Sequence, residues 1–93
     1  MNIVYIIKSQ TTKRRYIGFT QKNIEIRLAQ HNNGKNKSTR SGVPWKLIYL
    51  ESNFADKRSA LKRENVLKKM KGGNQLKVLL ENYRIIKENA RIV

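Results

Sequence analysis

The opening eighteen residues restrict the fold of this chain more than anything that follows. Ile3-Val4-Tyr5-Ile6-Ile7 is an apolar run of β-branched and aromatic residues, followed by the polar segment Lys8-Ser9-Gln10-Thr11-Thr12-Lys13 and then by Arg15-Tyr16-Ile17-Gly18. Such residues favour a pleated, covered surface and the polar segment is a turn, so the pattern predicts a β-hairpin. In the first strand Val4 and Ile6 alternate with Ile3, Tyr5 and Ile7, which makes both faces apolar. A strand of that kind is covered on two sides and lies inside the sheet. In the second strand, period-two alternation puts Arg14, Tyr16 and Gly18 on one face and Arg15, Ile17 and Phe19 on the other. Tyr5 and Tyr16 can therefore share a face, either as the wall of a site or as two ordinary cross-strand tyrosines. Gly18, at the end of the strand, is either a simple turn residue or a place where a phosphate or the next helix approaches closely.

Beyond the hairpin the period changes. Residues from Asn23 to about Asn33 read as a helix with Asn23 or Thr20 as N-cap and Gly34 as its stop. Ile24 and Leu28 form an apolar i,i+4 pair, and Arg27 and His31 form a second one on the adjoining strip. His31 is the only histidine, and it reads equally as a capping residue near the helix end. Asn32 to Gly42 is polar and basic, a loop expected to be mobile, in which Lys35, Lys37 and Arg40 are candidate phosphate contacts or merely solvated charges. Pro44-Trp45 leads into the predicted strand Lys46-Leu47-Ile48-Tyr49-Leu50, with Trp45 favoured as a core anchor over a base-stacking platform.

A second helix is predicted from Ala55 or Asp56 to Met70, with the stripe Ala60, Leu61, Glu64, Leu67. Glu64 falls inside that apolar stripe, where a carboxylate is costly to bury without a partner. Lys68, at i+4, is the ordinary choice, but such a pair belongs on the wet face. A lone acid turned inward on so cationic a helix is better explained as a metal ligand. Gly72-Gly73 breaks the helix, and Asn74 is a candidate cap for a last one carrying Leu76, Leu79, Leu80, Tyr83 and Ile86. That helix covers the sheet or meets a second copy of the chain, so monomer and homodimer are both open.

Charge then narrows the class of partner. With 21 Lys and Arg against 6 Asp and Glu in 93 residues, the formal net charge is +15, so the molecule repels itself and attracts polyanions, nucleic acid first. Contact with six to ten phosphates would cost about a thousandfold or more in affinity between 50 and 200 mM salt. The length suits one domain over residues 1–93, with a core to about residue 73 and a basic helix over about 74–93, and leaves no room for a second targeting domain. Cysteine is absent, which removes disulfides and thiolate metal sites and fits a reducing cytoplasm. The longest apolar run is too short to span a bilayer, so no membrane partner is expected.

Taken in order, Ile3-Val4-Tyr5, Tyr16-Ile17-Gly18, Arg27 with His31, Pro44-Trp45-Lys46-Leu47 and Ala60-Leu61-Lys62-Arg63-Glu64 resemble the motifs of the GIY-YIG nuclease domain, over Met1 to about Gly73. Ile3 stands where the family's first glycine is, a common variation in the short stand-alone subgroup that this chain most resembles. The resemblance implies an α/β fold with a small three-stranded antiparallel sheet flanked by helices. It also implies a metal-dependent DNA endonuclease, in which Tyr5 or Tyr16, more often the first, is the general base or orients the attacking water. It suggests, at a loose spacing, that Asn74 reaches the site. Among candidate DNA contacts the sequence then offers Gly18, Lys35, Lys37, Arg40 and Asn74.

The chemistry needs a deprotonated nucleophile, stabilisation of phosphorane charge and help for the leaving oxygen. Glu64 would hold Mg²⁺ or Mn²⁺, hard ions that keep several waters when a single carboxylate is supplied. Arg27 would clamp the phosphate with its planar fork, and His31 would orient a tyrosine or relay its proton. The dense positive field is expected to lower the phenol pKa. No other small-molecule cofactor is expected, because phosphate-cradling glycine loops are missing. The leading expectation is a DNA endonuclease that is structure-selective or weakly sequence-specific. The alternative is a non-catalytic basic nucleic-acid-binding module on the same scaffold, and a third is an RNA-binding ribosome-associated protein.

Overall fold

Both apolar faces of the first strand are covered, and this decides the layers. A computed structural model of the chain describes the backbone of residues 1–92 and the side chains of residues 1–88. Three strands, β1 (Ile3–Ser9), β2 (Arg15–Thr20) and β3 (Trp45–Glu51), form one antiparallel sheet in the order β2-β1-β3, with three helices, α1 (Ile24–Asn32), α2 (Lys57–Lys69) and α3 (Asn74–Ile92). The expected fold class and the interior position of β1 are both observed. On one face Ile3, Tyr5, Ile7 and Trp45 pack with Ile24 and Leu28 of α1. On the other, Val4, Ile6 and Tyr49 pack with Ala60 and Leu67 of α2 and Leu76 of α3. The structure is thus three layers deep around a strand that has no wet face.

Local chemistry sets the ends of the elements. The hairpin turn is tighter than its polar composition suggests, because β1 continues to Ser9, which is buried. Its hydroxyl accepts from the Thr11 and Thr12 backbone N–H groups at 3.2 and 2.9 Å, satisfying the donors that the turn frees. Asn23 caps α1 by accepting from Glu25 N at 2.8 Å, and Asp56 caps α2 by accepting from Ser59 N at 2.8 Å. Between α2 and α3 the chain reverses through left-handed Lys71 and Gly72. The bidentate pair of Arg63 Nε with both Glu51 carboxylate oxygens, 3.0 Å each, ties α2 to the end of β3.

Three sequence expectations need correction. Leu61, expected on the buried stripe of α2, is 36% exposed, and Ile86, on the α3 face expected to cover the sheet or to meet a second copy of the chain, is 66% exposed. A helix resting on a narrow sheet buries only the central strip of its apolar face, and each of these residues falls beyond its edge. Asn74 is the first residue of α3 rather than its cap; the Gly73 carbonyl takes the first helical bond, from Lys77 N at 3.1 Å. Lastly, the segment expected to be a mobile loop is folded against the body. The Trp45 indole N–H donates to the Thr39 carbonyl at 2.7 Å, Asn32 bonds the Trp45 backbone twice, and a 3₁₀ turn spans Arg40–Gly42. The helix expected to reach residue 93 is described to Ile92; Val93 and the side chains from 89 onward lie outside the described residues.

Candidate active site

The inward face of β1 places Tyr5 under α1, and the register brings it opposite Gly18. A Cβ on Gly18 would lie 2.6 Å from both Cζ and the hydroxyl of Tyr5 and 2.9 Å from the Tyr16 ring. The missing side chain thus makes room for a phenol, not for a phosphate or for α1, and Gly18 itself is buried. Helical spacing then brings Arg27 and His31, one turn apart on α1, to the same oxygen. Arg27 Nε donates to the Tyr5 hydroxyl oxygen at 3.3 Å, and that hydroxyl lies 2.7 Å from His31 Nε2. Tyr16 closes the other side, its ring 6.4 Å from that of Tyr5 and 5.2 Å from the imidazole.

His31 is fully buried, and its second nitrogen is also used: Nδ1 lies 2.7 Å from Thr39 Oγ1. Thr39 in turn donates to the Asn36 carbonyl at 3.4 Å. A hydroxyl that gives its proton to Asn36 accepts from His31 Nδ1–H, so Nε2 carries no proton and accepts from Tyr5. The tautomer is assigned from this network. Burial, helped by the Arg27 charge, holds the imidazole down to about 4, so it is neutral at pH 7.

The expectation that the positive field lowers the tyrosine pKa is overturned. Burial raises Tyr5 to about 12, and the Arg27 hydrogen bond and charge offset only part of that, while Tyr16 and Glu64 add to it. Desolvating a phenolate outweighs one guanidinium, because most of the +15 charge sits on the wet surface, where water screens it.

Glu64 is drawn inward as its place in the helix pattern requires, its side chain only 14% exposed. It is near enough to Tyr5 for its charge to be felt there. It is not alone, however: Lys68 Nζ lies 3.5 Å from Oε2, a loose i,i+4 pair to a half-exposed lysine. Among the described residues no cluster of three or more His, Asp and Glu side chains could cage a metal. The available donor is therefore one carboxylate, a donor set that suits a hard divalent ion, which keeps several waters when few protein ligands are supplied.

The remaining sequence candidates lie apart from this cluster. Lys35, Lys37 and Arg40 are exposed on the folded loop, and Arg40 Nε is engaged by the Gly34 carbonyl at 2.9 Å. Asn74 is exposed, and no described hydrogen bond joins it to Tyr5, Arg27, His31 or Glu64. One residue of the cluster went unread in the sequence. Thr39 lies in a Ser/Asn/Thr-rich loop, and the available clue was that an inward-facing, solitary histidine needs a partner for each nitrogen. Arg14, which the strand alternation puts on the Tyr16 face, borders a cleft of about 160 Å³ beside Tyr16, together with Thr12 and Ser38. No helix among the described residues is long and apolar enough to cross a membrane.

Comparison with known proteins accords with this arrangement. The family model described as the GIY-YIG catalytic domain matches residues 1–77. A UPF0213 protein of Clostridium perfringens is 41% identical over 90 residues, covering 96% of this chain and 92% of that one. A UPF0213 protein of Syntrophus aciditrophicus is 43% identical over 84 residues, 87% of this chain and 92% of the other. A structure-specific endonuclease subunit SLX1 homolog of Leishmania infantum is 43% identical over 53 residues, which is 53% of this chain but 7% of that protein. No solved structure matches the chain significantly.

Proposed function

This chain belongs to the GIY-YIG family, and from that premise we propose that it is a metal-dependent endonuclease that hydrolyses phosphodiester bonds in DNA. The observation that carries the reading is the convergence of Arg27 and His31 on the Tyr5 hydroxyl, at 3.3 and 2.7 Å, in the space left by Gly18. A structural tyrosine needs one hydrogen-bond partner. This one has a cation and a neutral imidazole, at a point where the sheet gives up a side chain to admit it.

Each residue has a task. Arg27, whose Nη1 also donates to Gln30 Oε1 at 3.1 Å, presents its remaining N–H groups to the phosphate oxygens. Tyr5 accepts the proton of the attacking water while its own proton moves to His31 Nε2, the acceptor that Thr39 keeps unprotonated. Tyr16 walls the imidazole from water. Glu64 would hold Mg²⁺ or Mn²⁺, which when bound supplies Lewis-acid stabilisation of the phosphorane and leaving-group charge. Lys68, paired with Glu64 at 3.5 Å, helps to hold the carboxylate in place. Selectivity for DNA form over sequence is supported by the likeness to the Leishmania relative, a structure-specific endonuclease subunit homolog, and by a surface of lysines and arginines suited to phosphates.

The test is cleavage of supercoiled plasmid and branched DNA with Mg²⁺ or Mn²⁺. The wild type should nick both, while Glu64→Ala should bind DNA about as well and leave it intact. A wild-type protein that binds yet releases no product across metals and substrates would instead be a binding module on this scaffold.

A further inference from the structure

At the hairpin end of the sheet, each strand carries one cation on the face opposite Tyr5. The register pairs Lys8 with Arg15 on one side and with Lys46 on the other, so three positive charges stand abreast across β2, β1 and β3. Alternation sets them on the face of Val4, Ile6 and Ile17, the one that α2 and α3 cover. Like charges directly opposite one another on neighbouring strands destabilise a sheet. None of the three has a carboxylate partner among the described residues, whose ion pairs are Arg63–Glu51, Lys68–Glu64 and the two made by Arg84. A groove of about 750 Å³ lies between this row and α3, bordered by Arg15 and Lys46 on the sheet side and by Lys77 and Lys87 on the helix side. Its two carboxylates, Glu81 and Glu88, are both engaged by Arg84. Cations held together at a cost to folding, beside acids that Arg84 already neutralises, make a site for an anion that spans them.

We propose that this groove is a second DNA-backbone site, which holds the sugar–phosphate ridge of a duplex arm other than the one at Tyr5, and that the substrate is therefore branched DNA. The proposal rests on the DNA-cleaving reading and deepens it. The protein measures only 33 × 30 × 29 Å, and the groove and the Tyr5–Arg27–His31 cluster lie on opposite faces of one sheet. A duplex with a persistence length of about 150 base pairs cannot fold back around so small a body except at a cost of several kcal/mol. Two arms leaving a branch point reach both faces with no such bend. Lysines on flexible stems suit the phosphates, and the Tyr83 and Leu80 side chains in the groove suit the apolar edges of the sugars.

The experiment measures binding with Glu64→Gln protein, which leaves DNA uncut, on a linear duplex and on a three-way junction with arms of the same sequence. Salt titrations are repeated after Lys8→Gln, Lys46→Gln and Lys77→Gln are combined. The slope of log K against log salt should fall by about 2 to 3 on the junction, with duplex affinity kept within about twofold. Because the row is repulsive, the melting temperature should not drop. If folding nevertheless suffers, Lys77→Gln with Lys87→Gln, both on exposed α3 positions, should lower the junction slope by about 2. Equal losses on both substrates, or no loss on either, would overturn the proposal. A protein that shows the junction-specific loss but never cuts DNA would refute the nuclease reading alone.

Discussion

Replacing Thr39 by valine removes one hydroxyl at nearly constant volume, in a residue only 1% exposed. With little cavity created, the dominant loss is the partner of His31 Nδ1–H, 2.7 Å away. An unpaired buried donor costs about 1–3 kcal/mol, and for a domain of this size each kcal/mol moves the melting temperature by about 4–8 °C. The backbone bond from the Trp45 indole to the Thr39 carbonyl is untouched, so the loop should keep its place. What changes is the tautomer: with no acceptor at Nδ1, the proton is free to move to Nε2, and Tyr5 then faces a donor where it had an acceptor. Positioned proton transfer contributes roughly 10²–10⁴-fold, so plasmid nicking at saturating DNA should slow by about tenfold or more while DNA affinity stays level. Thr39→Ser, which keeps the oxygen, should recover both stability and rate. The assays are urea unfolding and single-turnover nicking on the same three proteins. Loss of stability with an unchanged nicking rate would refute the tautomer argument, and no loss of either would refute the hydrogen bond itself.

Acid should destabilise the fold through His31. Its pKa is depressed to about 4 from an ordinary 6.5, so the stability it contributes is present above about pH 6.5 and is lost as pH falls through about 4. The full loss is roughly 3 kcal/mol, to be read from urea midpoints at pH 7 and pH 4. His31→Gln should flatten that dependence, and an unchanged slope would show that other groups carry it. Gly18→Ala should force the Tyr5 phenol away from a Cβ that would lie 2.6 Å from it. Overpacking of this kind costs about 1–3 kcal/mol. Nicking should be lost with DNA binding retained, and an alanine variant as active as wild type would separate Gly18 from the site.

Much of this arrangement was legible because its signals are local. A strand apolar on both faces has one place in a small sheet, and Arg27 and His31, four apart on a short helix, have to share a face. Glu64 could be read as inward because its i−4 and i+3 neighbours, Ala60 and Leu67, are apolar; both are fully buried. What could not be read depends on distant parts meeting. Thr39 is buried because Trp45, six residues on, donates into its carbonyl and packs against Gly42, where a Cβ would collide with the indole. Composition of the loop carries no trace of that. The direction of the Tyr5 shift was misread for a related reason. Net charge is a property of the surface, whereas a phenol sealed beneath α1 responds first to the water it has lost.

That loss of water constrains the proposed chemistry. With Tyr5 pushed up to about 12 and His31 held down to about 4 by burial, moving the proton fully from phenol to imidazole before anything else happens is strongly uphill. A free phenolate is therefore no resting species here. Tyr5 can act only if its oxygen gains the water's proton as its own leaves for Nε2, so that neither full charge exists alone. Substrate favours the same timing. The Arg27 charge helps to hold His31 down, and a phosphate drawn to that guanidinium offsets the repulsion and makes the imidazole more basic when the nucleophile is in place. On the proposed reading, burial keeps both groups quiet until DNA is bound, and the anion that relieves part of the suppression is the one to be cut.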